Sequence, residues 1–228
     1  MPAPMQGAPS TTATSRTESK PSAVGCVLMA SGQAKRFGSN KLLADFGGKP
    51  LLTRAFAATE GIFTARVTVT RSTEVQALCE KYGIPVLHHA LPFRSDTVRL
   101  GLEALQTQFP ALSGCLFLPG DQPLLTRQTL AAMVQAFCAA PHPEQCIFRL
   151  CDPQTGMPGS PVLFGADYFD ELRSLPEGKG GGVVVKQHAE QVALFPSRHP
   201  AELMDADTPE MLKKLRTIFF TDKFYSST

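Results

Sequence analysis

The chain has 228 residues, of which 43% are hydrophobic and 18% are charged, and its formal net charge is +2. This length fits one large α/β domain or two small ones, and the apolar content is sufficient for a buried core. The charge balance excludes a strongly basic nucleic-acid-binding protein and an acidic disordered chain, so a phosphate site must come from a local cluster of cations.

The two ends of the chain differ from its middle. Residues 1–22 are rich in Pro, Ser, Thr and Ala without apolar periodicity, which predicts a disordered tail. A folded domain is expected over 23–220, followed by a frayed terminus over 221–228. Because no apolar run approaches the roughly 20 residues of a membrane span and no secretory signal is recognisable, we expect a cytoplasmic protein with neither a membrane nor a nucleic-acid partner.

Short apolar runs alternate with segments of helical periodicity from residue 24 onward. The first run is nearly all apolar, which predicts a strand buried on both faces. Val98, Leu102 and Leu105 recur at helical spacing, with Ser95 or Asp96 as a candidate cap. In chain order the pattern predicts strand 24–30, helix 50–58 with Pro50 in its first turn, strand 66–70, helix 73–82, strand 85–88, helix 96–108, strand 115–119, helix 126–138, strands 146–150 and 162–164, helices 167–175 and 182–188, strand 192–195 and helix 209–219.

This alternation predicts a single Rossmann-like, three-layer α/β/α domain with a mostly parallel sheet. In such sheets ligands bind at the carboxyl ends of the strands, where the strand order reverses. The residues that follow the predicted strands are therefore the candidates for a functional site.

The segment after the first strand combines small residues with cations. Gly32 and Gly38 allow backbone N–H groups to approach phosphate oxygens, while Arg36 can bind two oxygens at once and Lys41 supplies a compact charge. The segment is neither a Walker A loop nor a dinucleotide-binding GxGxxG motif. It indicates a polyphosphate site; the alternative is a solvent-exposed turn that binds nothing.

Two later segments carry carboxylates. Asp121, in the sequence LFLPGDQP, follows a buried strand and suits Mg²⁺, which binds one or two carboxylates together with substrate phosphates. The alternative is a turn-forming aspartate. Asp205, in MDADTPE, is a second candidate, although Asp207 or Thr208 before Pro209 also fits an ordinary helix start.

In this order, the three segments resemble motifs of the MobA-like nucleotidyltransferases, and most closely those of the molybdenum cofactor cytidylyltransferases. The resemblance extends from about residue 24 to residue 215. The matching positions are Met29-Ala30-Ser31-Gly32, Arg36, Gly38, Lys41-Leu42-Leu43, Gly48-Lys49-Pro50-Leu51-Leu52, the GDQP at 120–123, the PVLF at 161–164 and the DADTPE at 205–210.

The resemblance implies a fold of the nucleotide-diphospho-sugar transferase type and transfer of a nucleoside monophosphate, with CTP favoured as donor, to a phosphorylated acceptor such as molybdopterin. Mg²⁺ is the implied cofactor, with Asp121 and Asp205 as its ligands and Asp207 as the second choice for the latter. Lys41, Arg36 and Asp121 would be catalytic. The implied nucleotide-binding residues are Ala30, Ser31, Gly32, Arg36, Lys41, Ser95, Asp96 and Gly120.

The chain departs from the family pattern in two places. Related proteins often carry Gly-Met-Ser-x-Ser where this chain has Arg94-Ser95-Asp96-Thr97. The loop over 177–182 is implied to bind the acceptor through Lys179 and Gly180. It lacks the arginine of the family pattern, and Lys179 or Lys186 would replace that arginine.

These differences leave two alternatives open. One is a sugar- or polyol-phosphate nucleotidyltransferase on the same fold. The other is a non-catalytic nucleotide-binding accessory protein for molybdoenzyme maturation. A molybdenum cofactor enzyme would also make transient contact with a molybdoenzyme.

Overall fold

A computed structural model describes residues 23–32, 37–38 and 40–226. The expected tail over 1–22 and the expected phosphate-binding residue Arg36 lie outside these residues. The strands of the described part are β1 (Val24–Ala30), β2 (Ala65–Thr70), β3 (Val86–His88), β4 (Gly114–Pro119), β5 (Ile147–Cys151), β6 (Pro158–Gly165) and β7 (Val192–Pro196).

These strands form one sheet in the order β3-β2-β1-β4-β6-β5-β7. Strand β6 runs antiparallel to its neighbours β4 and β5, whereas the other neighbouring pairs are parallel. The predicted mostly parallel sheet is thereby confirmed. Strand β6 is longer than the predicted 162–164, because Pro158, Gly159 and Pro161 obscure its pattern in the sequence.

Helices cover both faces of the sheet. They are α1 (Thr53–Thr59), α2 (Thr73–Lys81), α3 (Arg94–Gln108), α4 (Arg127–Cys138), α5 (Phe169–Arg173), α6 (Gly182–Gln187), α7 (Pro209–Thr221) and α8 (Lys223–Ser226). In β1, Cys26 and Leu28 pack into one apolar cluster and Val27 into the other, and all three are fully buried. Alternating side chains therefore face opposite layers, which confirms the three-layer α/β/α architecture. None of the helices in the described ranges is long and apolar enough to span a membrane.

Several helix boundaries differ from the predicted ones. Helix α1 begins at Thr53 rather than Pro50, because Pro50 forms an isolated bridge with Asp45 and its carbonyl accepts a hydrogen bond from the Thr53 N–H at 2.9 Å. The predicted helix 167–175 is divided into a 3₁₀ turn, Ala166–Tyr168, and the short helix α5.

The end of the chain is more ordered than expected. Residues 223–226, within the segment expected to fray, form helix α8. Tyr225 is 4% exposed and its ring lies 5.6 Å from that of His199 and 4.9 Å from that of Phe224. Burial of this aromatic ring anchors the segment, a contact that composition alone does not reveal. Residues 227 and 228 lie outside the described part.

Candidate active site

Strands β1 and β4 are parallel neighbours that end at the same edge of the sheet. Met29 pairs with Pro119, and the Gly120 N–H donates a hydrogen bond to the Met29 carbonyl at 3.1 Å. A Cβ atom on Gly120 would lie 2.8 Å from Cδ1 of Leu52, which is fully buried. Glycine at this position therefore lets the chain pass close to Leu52 and presents Asp121 at the edge.

Lys41 reaches this edge from the 3₁₀ turn Lys41–Leu43. Asn40 caps the turn through a hydrogen bond of 3.2 Å from the Leu42 N–H to its Oδ1. The Lys41 Nζ lies 2.5 Å from Oδ2 of Asp121 and 2.9 Å from Oδ1 of Asp207. Burial opposes the charged form, but the two carboxylates outweigh it and raise the pKa of Lys41. Lys41 is therefore a fixed cation at neutral pH.

The carboxylates at 205 and 207 come from a segment that precedes α7. The Ala206 N–H donates to the Asp121 carbonyl at 2.9 Å, and Nε2 of Gln122 lies 3.5 Å from the carbonyl of Leu203. These contacts hold the segment beside Asp121, a juxtaposition that sequence spacing alone does not establish.

A buried glutamate anchors the same segment. Glu202 has no exposed surface. Its carboxylate accepts hydrogen bonds from the backbone N–H groups of Thr126, Arg198 and His199 and from the hydroxyls of Thr126 and Thr129. It thus ties the start of α4 to the turn that leads to Asp205.

Asp205 and Asp207 have different surroundings. Partial burial, the nearby Asp121 carboxylate and, to a smaller extent, Asp207 raise the pKa of Asp205 to about 6. Asp207 bonds to Lys41 instead of capping α7, since the Thr208 hydroxyl accepts from the Met211 N–H at 3.1 Å and is the cap. The alternative of Asp207 as a helix cap is therefore wrong.

The donor set at this edge fits a divalent cation. Asp121 and Asp205 offer oxygen ligands whose mutual repulsion contributes to the raised pKa of Asp205, and a bound cation would relieve it. No group of three or more histidine, cysteine or acidic side chains forms a metal-binding arrangement within the described residues. One or two carboxylates completed by substrate phosphates is the arrangement that Mg²⁺ prefers.

A cavity of about 370 Å³ opens beside these groups. Ser31, Gly32 and Asp121 line it, as do Arg94 and Thr97 at the start of α3. Ala30 and Ser95 are buried and are not among the residues that line this cavity. The Asp96 carboxylate accepts a hydrogen bond from the Phe93 N–H at 3.1 Å and so caps α3. The structure therefore brings part of the expected nucleotide site together and gives Asp96 a capping contact.

Arg71 and His89 contact Ser31 in this region, and no role here was predicted for either of them from the sequence. Nε and Nη2 of Arg71 donate to the Ser31 carbonyl at 3.0 and 2.6 Å, and its Nη1 donates to the Pro92 carbonyl at 3.1 Å. Nε2 of His89 lies 3.1 Å from the Ser31 hydroxyl. Burial, and next the charge of Arg71, lower the pKa of His89. Both residues directly follow parallel strands, and that position was the available signal.

A second cavity, of about 410 Å³, adjoins the first one. The two cavities share Met29, Arg94, Pro119 and Gly178. The structure brings Lys179 and Gly180, expected on the acceptor side, to the wall of this second cavity together with Lys186. Its other lining residues are largely apolar, among them Val98, Phe117, Val162, Phe164 and Val183.

Known proteins resemble this chain in sequence and in fold. A sequence model of the MobA-like NTP transferase domain matches residues 26–192. A 3-deoxy-manno-octulosonate cytidylyltransferase of Gemmatimonas aurantiaca is 31% identical over 106 residues, which cover 44% of this chain and 41% of that protein. A 3-deoxy-manno-octulosonate cytidylyltransferase 2 of Paraburkholderia phytofirmans is 25% identical over 232 residues, which cover 90% of this chain and 85% of that protein. The chain spans less than half the length of the first of these relatives, and the same holds for two 3-deoxy-manno-octulosonate cytidylyltransferases of Polynucleobacter species.

The fold has solved counterparts. The structure of Rv0371C from Mycobacterium tuberculosis H37Rv in complex with manganese superimposes with a TM-score of 0.67 at 19% sequence identity and covers 86% of this chain and 99% of that one. At this identity the similarity establishes the fold. Since the family match spans most of the chain and includes Lys41 and Asp121, the chain belongs to the MobA-like NTP transferase family of nucleotidyltransferases.

Proposed function

We propose that this protein transfers CMP from CTP to a phosphorylated acceptor, with molybdopterin as the leading candidate, and releases pyrophosphate. The observation that carries the proposal is the meeting of Lys41, Asp121 and the 205–207 segment at the carboxyl edge of the sheet, next to a cavity. The relatives described as cytidylyltransferases support CTP as the donor.

The chemistry needs no strong general base. A phosphate oxygen of the acceptor attacks the α-phosphorus of CTP, a new P–O bond forms, and the bond from the α-phosphorus to the bridging oxygen breaks. Pyrophosphate leaves with the electron pair. Since a phosphate monoester is already anionic, positioning and charge neutralisation carry the catalysis. Lys41, together with Arg36, would stabilise negative charge on the departing pyrophosphate.

Asp121 and Asp205 would hold Mg²⁺, which would withdraw negative charge from the phosphates that it binds. Rv0371C of the same fold, solved with manganese, supports a divalent cation of this kind. Lys41 is bound by Asp121 and Asp207 in the structure, so phosphate binding must replace part of these contacts. The proposed nucleotide site comprises Ala30, Ser31, Gly32 and Gly120 with Ser95 and Asp96 at the start of α3.

The second cavity and the motifs support molybdopterin as acceptor. The apolar lining of this cavity suits a flat heterocycle, whereas Lys179 and Lys186 suit a phosphate group. A molybdopterin transferase would pass its product to a molybdoenzyme, so we also propose transient contact with one.

A second candidate is cytidylyl transfer to a sugar acid or sugar phosphate. The observation that favours it is the description of the sequence relatives as 3-deoxy-manno-octulosonate cytidylyltransferases. A polyhydroxylated acceptor requires many hydrogen-bonding groups, and Ser160 is one of few polar side chains in the second cavity.

Pyrophosphate release across the four NTPs tests these proposals. Each NTP is assayed with Mg²⁺ and molybdopterin, with Mg²⁺ and 3-deoxy-manno-octulosonate, or with no acceptor. We expect release from CTP only when molybdopterin is present. Release with the sugar acid alone would support the second candidate. Tight binding of CTP without release from either acceptor would identify a nucleotide-binding accessory protein and contradict the enzymatic proposal.

A further inference from the structure

Arg94 stands at the boundary of the two cavities. It is the first residue of α3, its side chain is exposed, and it lines both cavities. Within the part of the chain that the structure describes, its guanidinium has no hydrogen-bond or ion-pair partner. By contrast, Arg71 donates to two carbonyl groups and Arg99 lies 3.2 Å from a carboxylate oxygen of Glu103. Arg94 is thus an arginine of this region with unused donors.

The glycine loop opposite is shaped around this side chain. A Cβ atom on Gly180 would lie 2.9 Å from Cδ of Arg94, whereas a Cβ on Gly182 would have no atom within 4 Å. The aliphatic part of Arg94 therefore packs directly over Gly180. A residue larger than glycine at 180 would displace the arginine from its position between the cavities.

The charge of the second cavity favours an anion. Arg94, Lys179 and Lys186 line it, and no Asp or Glu is among the described residues that do so. A free guanidinium binds two oxygens of one phosphate with defined geometry. We propose that Arg94 binds the phosphate of the acceptor where the two cavities meet, and so selects a phosphorylated acceptor over its dephosphorylated form. This inference rests on the proposed transferase function.

Steady-state kinetics of the full chain tests the role of Arg94. In Arg94→Met we expect the KM for molybdopterin to rise roughly tenfold or more, because a charge-assisted contact is lost, while the KM for CTP changes less than about twofold. Arg94→Lys should recover part of the loss. Arg99→Met, on the same helix but lining neither cavity, is the matched control. A rise in the KM for CTP alone, or an unchanged KM for molybdopterin, would overturn the proposal.

A double-mutant cycle tests the contact with Gly180. Gly180→Ala should raise the KM for the acceptor in the wild-type background and have little further effect in Arg94→Met, because its target is then absent. Equal effects in both backgrounds would contradict the inference. So would an equal effect of Gly182→Ala, since loop stiffness rather than contact with Arg94 would then be the cause.

Binding of phenyl phosphate separates this inference from the proposed function. If wild-type protein releases no pyrophosphate with molybdopterin, the proposed acceptor is wrong, and titration calorimetry with phenyl phosphate decides the role of Arg94. We expect roughly tenfold weaker binding to Arg94→Met and unchanged binding to Arg99→Met. Undetectable binding to wild type, or equal binding to both variants, would overturn the role of Arg94 as an anion-binding residue.

Discussion

Replacement of Glu202 by glutamine should destabilise the protein by about 3 kcal/mol although it exchanges a single non-hydrogen atom. The side chain is fully buried, and both of its oxygens accept hydrogen bonds. An amide in place of Oε1 would face the Thr126 N–H, which is 3.0 Å away. An amide in place of Oε2 would face the N–H groups of Arg198 and His199, at 2.8 and 3.1 Å.

The expected loss of stability is that of the less costly of the two orientations of the glutamine amide. With the amide nitrogen at the Oε1 position, the Thr126 and Thr129 hydroxyls can rotate, and one buried backbone N–H loses its acceptor. An orphaned group of this kind costs about 1–3 kcal/mol. Replacement of the carboxylate by a carbonyl weakens the two remaining backbone bonds by about 1 kcal/mol in total.

Urea unfolding followed by circular dichroism measures this change. Glu190→Gln, at an exposed glutamate, is the matched control and should change the free energy of unfolding by less than about 0.5 kcal/mol. Because Glu202 anchors the turn before Asp205, the variant should also bind Mg·CTP more weakly. A loss below about 1 kcal/mol for Glu202→Gln would refute the structural reasoning.

Three further predictions concern the site. Lys41→Ala and Asp121→Ala should each lower the rate of pyrophosphate release by at least roughly 10²–10³-fold while the circular dichroism spectrum stays native, and near-wild-type release would exclude the proposed roles. Mg²⁺ added to the protein with CTP should raise the melting temperature further, and EDTA should abolish this extra rise in wild type. Asp205→Asn should make the extra rise smaller, and an undiminished rise in the variant would exclude Asp205 from the cation site. Burial and the charge of Arg71 lower the pKa of His89, while Asp96 opposes this shift. The folded state therefore binds the imidazole proton less readily than the unfolded state does, and the free energy of unfolding falls as the pH falls through about 6.5. Urea unfolding of wild type between pH 7.5 and 5.5 should therefore show a steeper loss than His89→Gln, and parallel curves would contradict the assignment.

Much of the fold follows from local pattern. The uninterrupted apolar run of β1 predicts a strand buried on both faces, and its side chains do divide between the two apolar clusters. Where proline or glycine interrupts the pattern, prediction fails, as in β6 and at the start of α1. These boundaries depend on strand pairing and on bridge contacts such as that between Asp45 and Pro50.

The candidate site could be predicted in part. Since neighbouring parallel strands end at one edge, the residues after β1 and β4 were expected to meet, and the structure places Lys41 at 2.5 Å from Asp121. The contacts of Arg71 and His89 with Ser31 belong to no motif and were missed. The sequence predicted a helix start at Asp207 or Thr208, and the structure confirms Thr208 as the cap and places Asp207 beside Lys41.

The chain order of strands and helices, the two-sided burial of the sheet and the position of Asp121 after a buried strand could all be inferred from the sequence, because apolar runs and helical periodicity are properties of neighbouring residues. The approach of the 205–207 segment to Lys41 could be seen only once the chain was folded. The contact between Lys41 and Asp207 joins residues 166 positions apart. It depends on the buried bonds of Glu202 and on the packing of α7, and long-range contacts of this kind leave no periodic signal in the residues that make them.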